Sequence, residues 1–158
     1  MTSIPRVFSL HTSMRFFGNR AVQIRYSGHP IGIIAGHCRF HIIRTADLKF
    51  RTPYLLVQDM VFDAKNPTEG YKGLWDGTPV KIGRECNDAS RFSLDQSVSR
   101  RHFEIVRRGD IFIIKDLNSQ LGTRVISNEE SQNGDIEAIA LENMKKVLSP
   151  EFQKVFGK

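Results

Sequence analysis

The chain has 158 residues, enough for one domain with a real core plus an extension. With 40% hydrophobic and 25% charged residues the composition is that of an ordinary globular protein, and the formal charge is +6. The longest apolar run, Ile31 to Gly36, falls far short of the ~18 residues of a membrane-spanning helix, and Cys38 and Cys86 alone make no disulfide framework. The charge is uneven. Residues 1–52 hold eight Lys/Arg and one acid, Asp47, while residues 53–158 hold fifteen Lys/Arg and sixteen acids. The first third is therefore expected to contact a polyanion or to act as a targeting segment.

In chain order, the first segment is acid-free as far as Asp47 and dotted with Thr2, Ser3, Ser9, Thr12 and Ser13. That is the composition of a mitochondrial transit peptide, with Ile4, Val7, Phe8, Phe16 and Phe17 along part of a helical face. A secretory signal is not expected, because no long apolar stretch follows the first arginine. Cytoplasm or nucleus is the other address. Short β-prone runs then appear at Ala21–Tyr26, Ile31–Ala35 and Arg39–Arg44, separated by Gly28-His29-Pro30 and Gly36. Pro53–Phe62 is a longer apolar stretch, and Asn66–Gly70 is a loop by composition. Pro79–Gly83 and Phe92–Leu94 read as short strands. His102–Val106 and Ile111–Lys115 read as a hairpin turning at Arg107–Asp110. Thr123–Ile126 and Ile136–Ala140 follow, and Ser149-Pro150 starts a short terminal helix. Turn signals every 8–12 residues predict an all-β sandwich, with Phe103, Ile105, Ile113 and Val125 in its core. The paired arginines Arg100-Arg101 and Arg107-Arg108 read as a solvated basic face.

Three stretches carry chemistry: Gly83-Arg84, Ser99-Arg100-Arg101-His102 and Asp116-Leu117-Asn118-Ser119-Gln120-Leu121-Gly122-Thr123. An arginine offers a planar, permanently charged fork that holds a phosphate through two parallel hydrogen bonds. Gly83 lets the backbone turn without a Cβ clash, and the Ser99 hydroxyl can donate to a phosphate oxygen. A surface salt bridge from Arg84 to Glu85 or Asp88 is the structural alternative. No acid and no oxyanion arrangement accompanies Ser99 and His102, so no catalytic residues are assigned and the protein is read as a non-enzyme. His37, Cys38 and His41 fall short of a zinc ligand set, because Cys38 alternates away from the two histidines on a strand. No metal and no cofactor is expected.

The ordered set Gly-Arg, Ser-x-x-His and Asp-x-x-Ser-x-x-Gly-Thr resembles the forkhead-associated (FHA) family, a phosphothreonine-peptide-binding β-sandwich. Asn133-Gly134-Asp135-Ile136 resembles that family's later Gly-Asp-x-Ile segment. The resemblance implies that Arg84 and Ser99 contact the phosphate and that Arg100 assists. It implies that Gly83, His102, Asp116, Ser119, Gly122 and Thr123 shape the loops, His102 by bracing them. A small apolar pocket for the γ-methyl group would select phosphothreonine. Leu121 stands where the family's asparagine grips the peptide backbone, a loss of about 0.5–1.5 kcal/mol for one hydrogen bond. The family also has two more strands after the Gly-Asp-x-Ile segment, so this sandwich must close differently, with residues 21–44 as candidates.

The chain thus divides into an Arg-rich extension with short strands (1–52), an FHA-like sandwich (53–140) and a helical tail (141–158). The expected function is non-enzymatic binding of a phosphothreonine-containing protein. The alternative is a structural subunit of an organellar ribonucleoprotein, such as a mitochondrial ribosome. In that reading Arg6, Arg15, Arg20, Arg25, Arg39 and Arg44 contact RNA beside neighbouring proteins, with no membrane involved. If the extension is an arm, removing residues 1–46 leaves the sandwich folded.

Overall fold

The computed structural model of the chain describes residues 13–44, 52–58 and 70–126. Among these residues ten strands form two antiparallel sheets. They are β1 (Ser13–Phe16), β2 (Ala21–Arg25), β3 (Ile31–Ala35), β4 (Cys38–Arg44) and β5 (Tyr54–Gln58). They continue as β6 (Tyr71–Gly73), β7 (Val80–Ile82), β8 (Phe103–Arg108), β9 (Ile111–Asp116) and β10 (Thr123–Ile126). One sheet runs β1-β10-β3-β4-β5-β6 and the other β2-β9-β8-β7. The Ile136–Ala140 strand, the Gly-Asp-x-Ile segment and the helix from Ser149 lie outside the described residues, as does all of the Asn66–Gly70 loop but Gly70.

The alternation in each strand sets the two layers together. Val22 and Ile24, Ile31, Ile33 and Ala35, Phe40 and Ile42, Phe103 and Ile105, Phe112 and Ile114, and Val125 all point between the sheets. Edge-to-face aromatic pairs tie the layers: Phe40 lies 5.5 Å from both Phe92 and Phe103, and Tyr54 lies 5.0 Å from Phe112. Ile113 departs from the expected core. It pairs with Gln23 and Val106 on the outward face of its sheet and is half-buried, while its neighbours Phe112 and Ile114 take the core. The hairpin begins one residue later and extends further than the sequence suggests. Its turn is tightened to Gly109-Asp110, with Gly109 at φ +64.

The basic N-terminal segment is woven into both sheets. β10 is hydrogen-bonded to β1 on one side and β3 on the other. β2 pairs with β9, and β4 pairs with β5. The division at residue 52 therefore falls between two adjacent strands of one sheet. Phe16 is a buried strand residue rather than part of a helical face. The turn from β1 to β2 is short, with Gly18 at φ +61 and Asn19 at φ +66, conformations that glycine and asparagine adopt most readily.

Two further expectations are corrected. Phe92–Leu94 is not a strand. It follows a short 3-10 helix, Ala89–Arg91, and its backbone is satisfied by a side chain instead of a neighbouring strand. Gln58 accepts from the Ser93 N–H and donates to the Ser93 carbonyl, both at 2.7 Å, so Phe92 can drop into the core. Arg107 is not simply solvated. Its guanidinium sits 5.0 Å from the Tyr54 ring centre and donates to the carbonyls of Leu74 and Gly109.

Candidate phosphate-binding cleft

The three motif stretches meet at one end of the sandwich. β7 ends at Ile82, and the next residues lie against the loop that precedes β8. Arg84 N–H donates to the Ser99 carbonyl at 3.1 Å and Glu85 N–H to the Arg100 carbonyl at 3.0 Å. Gly83 is required by this closeness: a Cβ there would stand 2.3 Å from the Arg100 oxygen. Close approach, more than turning, is thus the reason for glycine.

Arg84 is held by its own side chain. Its Nε–H donates to the Val98 carbonyl at 2.6 Å, which fixes the guanidinium plane and leaves the two terminal nitrogens to the cleft it lines. The acids beside it are engaged elsewhere. Glu85 pairs with Arg100 at 3.2 Å, and Asp88 pairs with Lys72 and Arg91. Ser99 Oγ accepts the Gln120 N–H at 2.9 Å, so its own proton remains to be donated.

His102 joins the two recognition loops. Its ring is fully buried. Nδ1 accepts the Ser99 N–H at 3.0 Å, so Nε2 carries the proton and donates to the Gly122 carbonyl at 2.7 Å. Burial holds its pKa below the ordinary histidine value, against the opposing pull of the Gly122 carbonyl and the Asp116 charge. The neutral ring is the form this bonding needs. Both ring nitrogens are committed to backbone groups, so His102 has no lone pair with which to deprotonate Ser99 Oγ.

Asp116 organises the second loop. Its buried carboxylate accepts the Ser119 hydroxyl at 2.5 Å, the Thr123 hydroxyl at 2.8 Å and the Ser119 N–H at 3.1 Å. Asn118 takes φ +60 at the loop tip, and Gly122 takes φ +79 beneath the Phe17 ring.

The result is an open cleft of about 570 Å³ lined by Arg84, Glu85, Gln96, Ser99, Arg100, Arg101, Leu117, Asn118 and Gln120. Three arginines against one glutamate make it cationic. Among the residues read from the sequence, Arg84, Ser99 and Arg100 share this cleft, while Gly83, His102, Asp116, Ser119, Gly122 and Thr123 support it from behind. Leu121 stands outside it, exposed at the rim. Gln96, Arg101, Leu117, Asn118 and Gln120 were not singled out from the sequence as ligand contacts. Gln120 contributes through its backbone N–H, which no side-chain motif reveals.

The arginines assigned to RNA are distributed over the body. Arg6 lies outside the described residues. Arg25 pairs with Asp110 at 3.2 Å, and Arg15 donates to the Leu121 carbonyl at 3.4 Å. Arg20 and Arg44 are exposed at strand ends. Strand register sets Arg15 opposite Arg124, Arg124 opposite Ile34 and Ile34 opposite Arg39, one row across the outward face of the larger sheet. Of the residues weighed for metal, Cys38 faces the core with its thiol pushed up by burial. His37 is in the exposed turn, and His41 is buried on the opposite face of β4.

A β-sandwich that gathers a cationic, polar-lined cleft on the loops at one end is built as a protein-interaction module. Residues 80–144 match the family model of the FHA domain. No curated protein and no solved structure gave a significant match. Both strands that flank β10, the last described strand of the matched stretch, come from before it, which is how this sandwich closes.

Proposed function

We propose that the protein binds phosphothreonine-containing proteins through the Arg84–Ser99 cleft. One observation carries this reading. Arg84 is fixed through Nε and Ser99 accepts through Oγ, so both present their remaining donors to the same space. A phosphate there would accept two charge-assisted bonds from Arg84 and a short one from the Ser99 hydroxyl, with Arg100 and Arg101 raising the local potential. Leu117 supplies an apolar wall for a threonine methyl group. Calorimetric titration should find micromolar-range binding of a phosphothreonine peptide and far weaker binding of its phosphoserine and unphosphorylated forms. Arg84→Ala should cost about 2 kcal/mol or more, roughly thirtyfold in Kd. Equal affinity for phosphorylated and plain peptides would overturn the reading.

A second reading, a subunit of an organellar ribonucleoprotein, is favoured by the row Arg15, Arg124 and Arg39. Basic side chains gathered on one sheet face, with eight Lys/Arg against one acid in residues 1–52, suit a polyanionic neighbour. RNA recovered with the native protein, and lost steeply as salt rises, would support it. Recovery of no RNA at low salt would remove it. A mitochondrial leader compatible with this fold is cleaved before Ser13, where β1 begins. N-terminal sequencing of native protein tests that address.

A further inference from the structure

A second group of buried side chains lies outside the inter-sheet core. His41, Ile43, Leu55, Val57, Tyr71 and Ile126 are each 7% exposed or less, and none belongs to the cluster between the sheets. Register places them together on the outward face of the larger sheet. Ile126 stands opposite Gly32, Gly32 opposite His41, His41 opposite Val57 and Val57 opposite Tyr71, with Ile43 opposite Leu55 alongside. The smaller sheet packs on the other side. Thr52 and Trp75 approach the outward face at Gly73, at one end of it, and no described strand lies over the rest. Six side chains this buried, on a face that water would otherwise reach, need a further cover.

Ile126 is the last described residue, and it stands in this apolar row. Both hydrogen-bonding sides of β10 are taken, by β1 and β3, so the chain that follows cannot fold back as a neighbouring strand. Its composition suits the face instead. Residues 127–144 hold Glu129, Glu130, Asp135, Glu137 and Glu142 and no lysine or arginine. Beside the apolar row runs the basic one of Arg15, Arg124 and Arg39. Ile136, Ile139, Leu141, Met144, Val147 and Leu148 supply the apolar surface. The connection 59–69 is anchored at the far edge of the same sheet, where Gln58 N–H donates to the Gly70 carbonyl at 2.8 Å. That edge is four strands from β10, at about 4.8 Å per strand.

We propose that residues 127–148 dock on the outward face of the larger sheet, their apolar side chains covering the row from Ile126 to Tyr71 and their acids facing Arg15, Arg124 and Arg39. The occupant is this chain's own acidic segment. The apolar half of the contact gives it affinity, and the charge match sets which end of the face each half takes. The arginine row then meets an internal acidic partner, and an RNA reaches it only by displacing that segment. The cleft of Arg84 and Ser99 lies on other loops and is not part of this contact.

The test is nuclear Overhauser spectroscopy on the full-length, methyl-labelled protein. The methyl groups of Leu55, Val57 and Ile126 should show contacts to those of Ile136, Ile139, Leu141 or Met144, and the Arg39 and Arg124 side chains should show contacts to residues 127–142. A sample mixing labelled with unlabelled chains should show no such contacts between chains. Contacts from the face to Met60, Val61 or residues 1–12 in place of 136–148 overturn the proposal. Contacts that arise only between chains overturn it too, since the occupant is then a second copy. A face with no contact to residues 127–148 overturns it outright.

Discussion

His102 shows how one buried side chain supports a site it does not line. Its two nitrogens satisfy Ser99 N–H and the Gly122 carbonyl, one from each recognition loop. His102→Ala removes the partner of the buried Gly122 carbonyl and of the part-buried Ser99 N–H. Each such loss costs about 1–3 kcal/mol, so the variant should unfold at lower urea with a total loss of about 2–6 kcal/mol, and any phosphopeptide binding should weaken with it. His41 is a different case. It is buried on the outward face of β4, its Nδ1 has no hydrogen-bond partner among the described residues, and burial, aided by the charge of Arg39, pulls its pKa down to about 4. The folded state thus holds His41 neutral while the unfolded chain takes up a proton near pH 6.5. Its contribution is fully present above about pH 6.5 and is lost as the pH falls toward 4, with a slope approaching about 1.4 kcal/mol per pH unit. His41→Leu should flatten the fall in stability between pH 6.5 and 4 relative to wild type, read from urea midpoints across that range. An unchanged pH profile would show that His41 is not the group responsible.

At the scale of elements, the N-terminal strands decide whether the cleft exists. β10 carries Thr123, which bonds Asp116, and both its neighbours are β1 and β3. Deleting residues 1–46 strips β10 of both partners, β9 of β2 and β5 of β4. The expected outcome is a chain without a cooperative thermal transition by circular dichroism, not a trimmed but folded sandwich; retention of a sharp transition would contradict this. The strands most readily read from the sequence were those with clear alternation or compact apolar runs: β2, β3, β4, β8, β9 and β10. β1 was missed because it falls in the Arg- and Ser-dotted segment that reads as an extension, and β6 because Tyr-Lys-Gly holds a single apolar residue and so no period. Phe92–Leu94 has a strand's composition, and only the distant Gln58 amide makes it something else. In the same way Arg84, Ser99 and His102 were legible because their spacing is local to three short motifs. Phe17 was not, because it meets Gly122 only through the pairing of β1 with β10, across 105 residues of chain.

At the scale of the whole described body, one set of loops at the end of two packed sheets gathers Arg84, Arg100 and Arg101 around a single cleft. Elsewhere among the described residues Arg107 braces the body on Tyr54, and Arg15, Arg124 and Arg39 lie in a row on the outward face of the larger sheet. These are separate surfaces, and they distinguish a phosphopeptide reader from an RNA-contacting scaffold. Heteronuclear NMR titration of the full chain with a phosphothreonine peptide reports on both at once. The account predicts shifts concentrated at the Arg84 Nε–H and at the amides of Ser99, Arg100 and Gln120, absent with the unphosphorylated peptide. Shifts confined to Arg15, Arg39 and Arg124, or no phosphate-dependent shifts at all, would contradict it.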